Sequence, residues 1–533
     1  MLSAISFKKK MLVLIAAMSG LFLAALDQSI VGTALPTIVA DFNGLNELSW
    51  VVTAYLLTST ITVPIAGKLS DIYGRRKLLL VGIVIFIIGS MFSGLSWNMS
   101  SLIAFRAIQG IGGGILMSSA FSVIGDLFVP SERGKWQGVF GAVFGLSSVV
   151  GPLLGGYLTD NASWRWCFYL NIPIAIIAFA LIYFNFPTII SKDIKTRIDY
   201  FGAVLLTGGL GALLLAFTWG GSKYSWLSVQ IIGLFTASII LLACLAKWET
   251  KFSDPIIPMY IFKNSIFRVS VVLVFLIGIA MFGAIIYLPL FAQVVQGASA
   301  TNSGIILLPL VISLVIASIA SGQIITRTGK YKILAIVGIF ITTGSLFWLS
   351  TLTSSSSHTQ TVIRMIPLGI GIGIAMPLFN LVVQNAFPQQ MLGVASSSVQ
   401  LFRGIGATVG VAVMGTYMNT TINNKIVELN NIPFTKTIED KLGVLDANSL
   451  QHVLSAKGQA QILNSISQLP SALQPSITAS FYQFVHLSQS ILSSAITRTF
   501  FLGACLLLIA CVAVFFLKEI PLRKSNGERV VES

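Results

Sequence analysis

Residues 67–82 read GKLSDIYGRRKLLLVG, and residues 322–338 read GQIITRTGKYKILAIVG. Each stretch is a short basic turn between two apolar runs of roughly 20 residues, the length that crosses a bilayer core about 30 Å thick. Gly67 and Gly74 match Gly322 and Gly329, and Lys77 matches Lys332. Further out, Arg106, Gly110, Gly112 and Gly114 fall against Arg364, Gly369, Gly371 and Gly373, and Leu35-Pro36 falls against Leu288-Pro289. The matches share an offset of about 255 residues. They predict an internal repeat, two six-helix halves that rock about a site near the membrane midplane.

The composition agrees with a chain whose solvent is lipid. Hydrophobic residues are 55% of the 533 and charged ones 10%, against roughly 25% charged in ordinary globular proteins. The expected fold class is an all-α polytopic membrane protein. Fourteen apolar runs lie near 11–35, 48–68, 78–97, 101–124, 136–158, 167–187, 199–219, 228–247, 268–292, 303–326, 333–352, 361–384, 397–420 and 491–517. The first is too long for a signal peptide, and thirteen more follow it. The expected division is an N-terminal half (1–190), an insertion carrying runs 7 and 8 (191–267), a C-terminal half (268–517) and a tail (518–533).

With the N-terminus in the cytoplasm, almost every Lys and Arg, Arg403 included, sorts to a cytoplasmic loop, as the positive-inside rule requires. Both termini are then cytoplasmic. The short outer loops carry only Arg165 and Lys223. The other outer lysines fall in a polar stretch, 421–490, expected to be a long loop with amphipathic helix near Ile462, Leu463 and Ile466. The net charge of +15 is thereby topology, and a nucleic-acid partner loses its support. Four cysteines, all in apolar runs and without a CxxC pair, argue against a disulfide scaffold or structural zinc. Three histidines with none at HExxH spacing, and no GxxxxGK[ST] loop, argue against a zinc hydrolase and an ATP-driven pump. No metal or bound cofactor is expected; the energy source would be a proton gradient.

Four motifs in order resemble the major facilitator superfamily, and within it the fourteen-span drug:proton antiporter branch. Gly67-Lys-Leu-Ser-Asp71-Ile-Tyr-Gly74-Arg75-Arg76-Lys77 is similar to the loop signature between spans 2 and 3. Leu26-Asp27-Gln28-Ser29-Ile30-Val31 followed by Ala34-Leu35-Pro36 resembles the first-span motif of that branch. Arg106 with Gln109-Gly110 resembles the span 4 motif, and Gly145 with Gly151-Pro152-Leu-Leu-Gly155-Gly156 the span 5 antiporter motif. Trp164-Arg165-Trp166, Asn171 and Pro173 also suit the branch. The resemblance covers nearly the whole chain. It implies the facilitator fold, with spans 7 and 8 as two extra central helices, in a bacterial plasma membrane, and export of drug-like compounds against protons by a monomer.

Of eighteen acids only Asp27 lies well inside an apolar run, and none occurs from 255 to 427. A carboxylate in lipid is costly. Asp27 is either a packing acid satisfied by hydrogen bonds or, the favoured reading, a site for a proton and a cationic substrate. Arg106 enters at similar depth and must pair or face water; the family arrangement puts it on the same side of the central cavity as Asp27, as a coupling residue or a structural anchor. Arg364, its repeat counterpart, is balanced between function and structure, because Ala280 stands where a second acid would be. Gly67, Asp71, Gly74 and Arg75 read as a cytoplasmic latch between the halves, against ordinary loop charge. Gly145, Gly151, Pro152, Gly155 and Gly156 read as a gate, against a packing kink. Trp50, Tyr55, Met117, Phe121, Tyr287, Phe379 and Gln384 are candidate cavity lining for flat apolar ligands.

The leading expectation is a proton-driven exporter of amphiphilic cations. The alternatives are export of a lipid or an endogenous metabolite, for which spans 7 and 8 could open a lateral path, and a receptor without transport. A receptor needs a signalling domain, and neither terminus is long enough to hold one.

Overall fold

The computed structural model describes residues 6–42, 48–187, 198–221, 223–298, 300–435, 450, 453–454, 456–470 and 473–523. Fourteen helices among them are long and apolar enough to span a membrane. We number them α1 Phe7–Phe42, α2 Leu48–Tyr73, α3 Arg75–Gly94, α4 Met99–Leu127, α5 Pro130–Asn161, α6 Asn171–Asn185 and α7 Tyr200–Trp219. The others are α8 Val229–Glu249, α9 Ser265–Leu290, α10 Ala300–Thr328, α11 Lys332–Leu349, α12 His358–Ala386, α13 Leu392–Ile426 and α14 Gln474–Ala513.

The helix ends follow local chemistry. Asn98 and Ser357 open α4 and α12 with the same reciprocal capping box, filled by Ser101 and Gln360. Gly74 and Gly329 take φ of 87° and 70° in the α2–α3 and α10–α11 turns, a conformation that costs a side chain but not glycine. The repeat seen in the sequence is therefore also a repeat of turn geometry. Within 421–490 a short helix, Ala456–Ser467, carries Ile462, Leu463 and Ile466, and the flanking spans reach further into the stretch than the apolar runs, α13 to Ile426 and α14 from Gln474. Helices extend past the apolar run because outside the lipid a polar side chain does not penalise the helical backbone. Arg403 is not in a cytoplasmic loop but eleven residues inside α13.

The same helix pairs recur in both halves. α4 packs on α2 and α3 as α12 packs on α10 and α11, and α1 packs on α5 as α9 packs on α13. Glycines permit this closeness. A Cβ on Gly112 would lie 2.5 Å from the Phe86 nitrogen of α3, and one on Gly371 would lie 2.6 Å from the Thr342 nitrogen of α11. Between halves the contacts are again a symmetric pair, α5 with α10 and α2 with α13. The extra helices α7 and α8 pack on each other, and α7 leans on α2 and α13, one helix from each half. Outside this core, large apolar side chains such as Phe184, Ile239 and Ile316 stay exposed; a belt of this kind is lipid-facing surface.

Fourteen spans bring both described chain ends to one face, which also carries the α2–α3, α4–α5 and α10–α11 turns and their Lys and Arg residues. On this basic face the halves are locked together. Gln137 Nε2 donates to Gln384 Oε1 (3.4 Å), Asn380 Nδ2 to Gln137 Oε1 (3.3 Å), and Gln384 Nε2 to the Phe121 carbonyl (3.2 Å). The segment after α14 crosses the seam. Its Arg523 carbonyl accepts from the Ser131 nitrogen of α5, while Asn385 of α12 donates to the Pro521 carbonyl.

Candidate transport site

Asp27 lies past the middle of α1 and is fully buried, as are Arg106, Gln109 and Asn171 around it. Its Oδ2 accepts from Arg106 Nη1 at 2.6 Å, and its Oδ1 accepts from Gln109 Nε2 at 2.8 Å and Asn171 Nδ2 at 2.7 Å. Arg106 also donates from Nη1 to Gln109 Oε1 (2.6 Å) and from Nε to the Val51 carbonyl (3.2 Å). The Tyr55 and Phe168 rings lie 4.5 and 5.8 Å from the guanidinium. Four helices thus supply one dry ion-pair network. Gln109 sits three residues after Arg106, on the same face of α4, so one helix turn aims both at the acid. A buried ion pair survives its desolvation only when its remaining polar atoms are satisfied, and Gln109 and Asn171 do that here. The sequence named both residues within motifs but assigned them no contact with Asp27.

The central cavity lies one side-chain layer away. Tyr55 forms the partition: it lines the cavity, stacks on Arg106, and its hydroxyl donates to the Ala24 carbonyl at 3.2 Å. Met117 lines the cavity as expected, with Gln28, Phe144, Met281 and, from α13, Gln400 and Arg403. Phe379 lines a second, smaller space that shares Met281, Gln400 and Arg403. Phe121 contributes its ring to the Arg403 guanidinium, 5.8 Å away.

Other candidates lie elsewhere. Asp27 faces the network and not the cavity. Gln384 belongs to the seal on the basic face. Tyr287 is buried among α9 and α13, its hydroxyl reaching the Val411 carbonyl at 3.5 Å. Arg364 is not on the cavity wall, and its buried Nη1 has no hydrogen-bond partner among the described residues. Trp50 packs edge-on against Trp219 of α7. Arg403 and Gln400 were missed; the readable signal was a cation six residues inside an apolar run, which by itself marks a functional position.

The residues read as a latch lie at the α2–α3 turn. Arg75 pairs with Asp71 and, through Nε at 2.9 Å, with Asp126 of α4. Asp71 also packs against Gly393, so its carboxylate lies over the first turn of α13 in the other half, where the helix dipole favours negative charge. Gly67 is held close to Ser397 and the Gly393 carbonyl. The span 5 motif divides. Gly145 faces Val311 and Val315 of α10, across the halves, whereas Gly151 and Gly155 face Ser29, Ile30 and Thr33 of α1 in their own half. Pro152 stands inside α5; it cannot donate to the Ser148 carbonyl, and next to that gap Ser29 Oγ donates to the Ser147 carbonyl at 2.8 Å. Gly156 is buried beside them.

The profile of the Major Facilitator Superfamily matches residues 17–411. The multidrug transporter protein MdtP of Bacillus subtilis (strain 168) is 37% identical over 538 aligned positions, 98% of this chain and 95% of that protein. Multidrug resistance protein 3 of the same strain is 35% identical and covers 93% of each chain. The human organic anion transporter MFSD10 (TETRAN) has the same fold, with a TM-score of 0.60 at 14% identity over 93% of this chain and 99% of that one. The likeness to MFSD10 is one of fold alone, but the profile and the two Bacillus relatives run along most of the sequence: the protein belongs to the major facilitator superfamily and is a transporter, not an enzyme.

Proposed function

We propose that the protein exports amphiphilic, drug-like compounds across the plasma membrane in exchange for protons, by alternating access. The cargo class is supported by two relatives whose names describe multidrug transport or resistance and which align along nearly all of this chain. The basic face is the cytoplasmic one by the positive-inside rule, so the present arrangement is closed to the cytoplasm. α7 lies along the α2–α13 seam, which favours an enclosed chamber over the sideways groove a lipid would need. A cationic cargo would need an anion in the chamber. Among the described residues the chamber wall carries none, so the reading is for amphiphiles without a cationic preference.

Asp27 is the proton carrier in this reading, and the observation that carries it is Tyr55. The ring touches the Arg106 guanidinium on one side and the cavity on the other. A proton on Asp27 removes the charge that holds Arg106 in place, and a buried guanidinium without its partner must move. Tyr55 passes that movement to the cavity wall. Arg106, Gln109 and Asn171 position the acid, and the Asp71–Arg75 latch biases the halves. One titrating group implies one proton per cycle. The test is substrate-induced proton release from purified protein, with pH-driven efflux from proteoliposomes alongside. Asp27→Asn is expected to abolish both while the protein remains folded and inserted; undiminished release in the variant sinks the mechanism.

A further inference from the structure

The cavity holds a positive charge that the protein does not neutralise. Arg403 lies about 17 Å along α13 from its first residue, at 1.5 Å per residue, where a lone cation is expensive and is normally paired or turned to water. Among the described residues no carboxylate lies within ion-pair distance of it. Its guanidinium has five N–H donors, and none meets an acceptor among the described residues; its side-chain contact of note is the Phe121 ring. One turn back on the same face, Gln400 is only 6% exposed, and its Oε1 has no hydrogen-bond partner. Both side chains line both cavity spaces, and no Asp, Glu or Lys shares the walls with them. Asp27 cannot serve as counter-charge, because Arg106, Gln109 and Asn171 already take both its oxygens.

A half-buried arginine with no acceptor among the described residues thus stands beside a buried amide whose oxygen has no donor, and both are costly unless a ligand completes the pair. The planar fork of an arginine matches a carboxylate through two parallel hydrogen bonds. The rest of the wall is apolar, with Met117, Phe144 and Met281 prominent. We infer that the cavity selects amphiphilic carboxylates, with the acid group on Arg403, the Gln400 amide turned over so that Nε2 is a further donor, and the apolar body among the methionine and phenylalanine side chains. The inference rests on the export reading for the ligand's being cargo. Binding itself is tested separately from transport.

The experiment uses full-length protein in phosphatidylcholine nanodiscs and three probes with one ring system: 9-anthracenecarboxylate, 9-anthracenemethanol and trimethyl(9-anthracenylmethyl)ammonium. In equilibrium titrations the wild type is expected to bind the carboxylate roughly tenfold or more tightly than either other probe, the scale of a hydrogen-bonded charge. Arg403→Gln is expected to remove that advantage and leave the alcohol within about threefold, while Arg403→Lys keeps part of it by retaining the charge. Gln400→Leu is expected to weaken the carboxylate alone, by a smaller factor, which keeps the test open if Arg403→Gln does not fold. No carboxylate preference in the wild type, preference for the ammonium, or equal weakening of all three probes in Arg403→Gln overturns the inference. The same probes in proteoliposomes with an imposed pH gradient separate the two proposals. Arg403-dependent carboxylate binding without pH-driven movement of any probe upholds the site and defeats the export reading. PH-driven movement of the ammonium without carboxylate preference upholds export and defeats the site.

Discussion

Asp27 illustrates what a single charge demands of its surroundings. Its two oxygens collect three donors from two other helices, and Asn171 is itself held by the Ser90 hydroxyl, to which it donates at 3.0 Å. Such a network is worth most when complete, since a buried polar atom left without its partner costs about 1–3 kcal/mol. Asn171→Leu is therefore expected to destabilise the protein by about that amount, seen as a lower Tm in thermal unfolding of the purified transporter. The matched control is Asn171→Asp, which places a second acid against Asp27 and is expected to be worse. If Asn171→Leu unfolded at the wild-type temperature, the hydrogen bond would contribute nothing. Arg403 shows the opposite case. It is a charge whose partners the fold omits, and the ligand supplies them.

At the scale of elements, Asp71 brings the α2–α3 turn against the start of α13. Asp71 is held by Arg75, Arg75 by Asp126, and the carboxylate rests over the amide end of α13. A charge at a helix N-terminus contributes about 0.3–2 kcal/mol depending on burial, which is a severalfold bias in the equilibrium between the two faces. Asp71→Asn is expected to slow turnover severalfold while substrate affinity stays within about threefold, because 0.3–2 kcal/mol acts on the conformational equilibrium and not on cavity contacts. Turnover in proteoliposomes and equilibrium titration of the same variant check this, and loss of affinity in step with turnover contradicts it. The α5–α10 seam follows similar logic with packing in place of charge. Gly134, Gly138, Gly141 and Gly145 recur on one face of α5 and lie against Gly322, Ser318 and Val315 of α10, so the two halves meet nearly backbone to backbone. Small residues at such a seam let helices shift against each other without large side chains to repack.

At the scale of the whole molecule, the segment 514–523 closes the basic face. Tyr331 donates from its hydroxyl to the Lys518 carbonyl at 2.9 Å and accepts from the Ile520 nitrogen at 2.9 Å. Glu519 Oε1 accepts from the Tyr331 nitrogen (2.9 Å), and Arg523 donates to the Phe387 carbonyl (2.7 Å). Leu517 and Ile520 are buried beneath. Because Ser131 of the N-terminal half also binds this segment, opening that face must detach it. A chain ended after Leu517 is expected to open the face more often. The readout is the labelling rate of Ser397→Cys, beneath the latch, by a maleimide supplied from the basic side, with an expected rise of severalfold, about 1 kcal/mol of lost closure. An unchanged rate would show that the segment merely covers the surface.

The sequence by itself determined the class, the span count, the repeat and the one deep acid, since these depend on lipid as solvent. Apolar run length, the sorting of Lys and Arg, and the cost of a carboxylate in hydrocarbon are properties of short segments, readable without knowing which segments touch. Gly74 and Gly329 were legible for the same reason, because a turn's dihedral demand is local. Only the tertiary structure decided where the side chains point. Asp27 and Arg403 both lie well inside helices, but α1 turns its acid into a network with α4 and α6, while α13 turns its arginine into the space between the halves. That choice depends on helix rotation and on which neighbour arrives opposite, quantities set by packing between segments far apart in the chain, 79 to 144 residues in the case of Asp27. The burial of Asp27 in a network of three donors and the placing of Arg403 on the cavity wall are therefore facts of the assembled helices and not of any one segment.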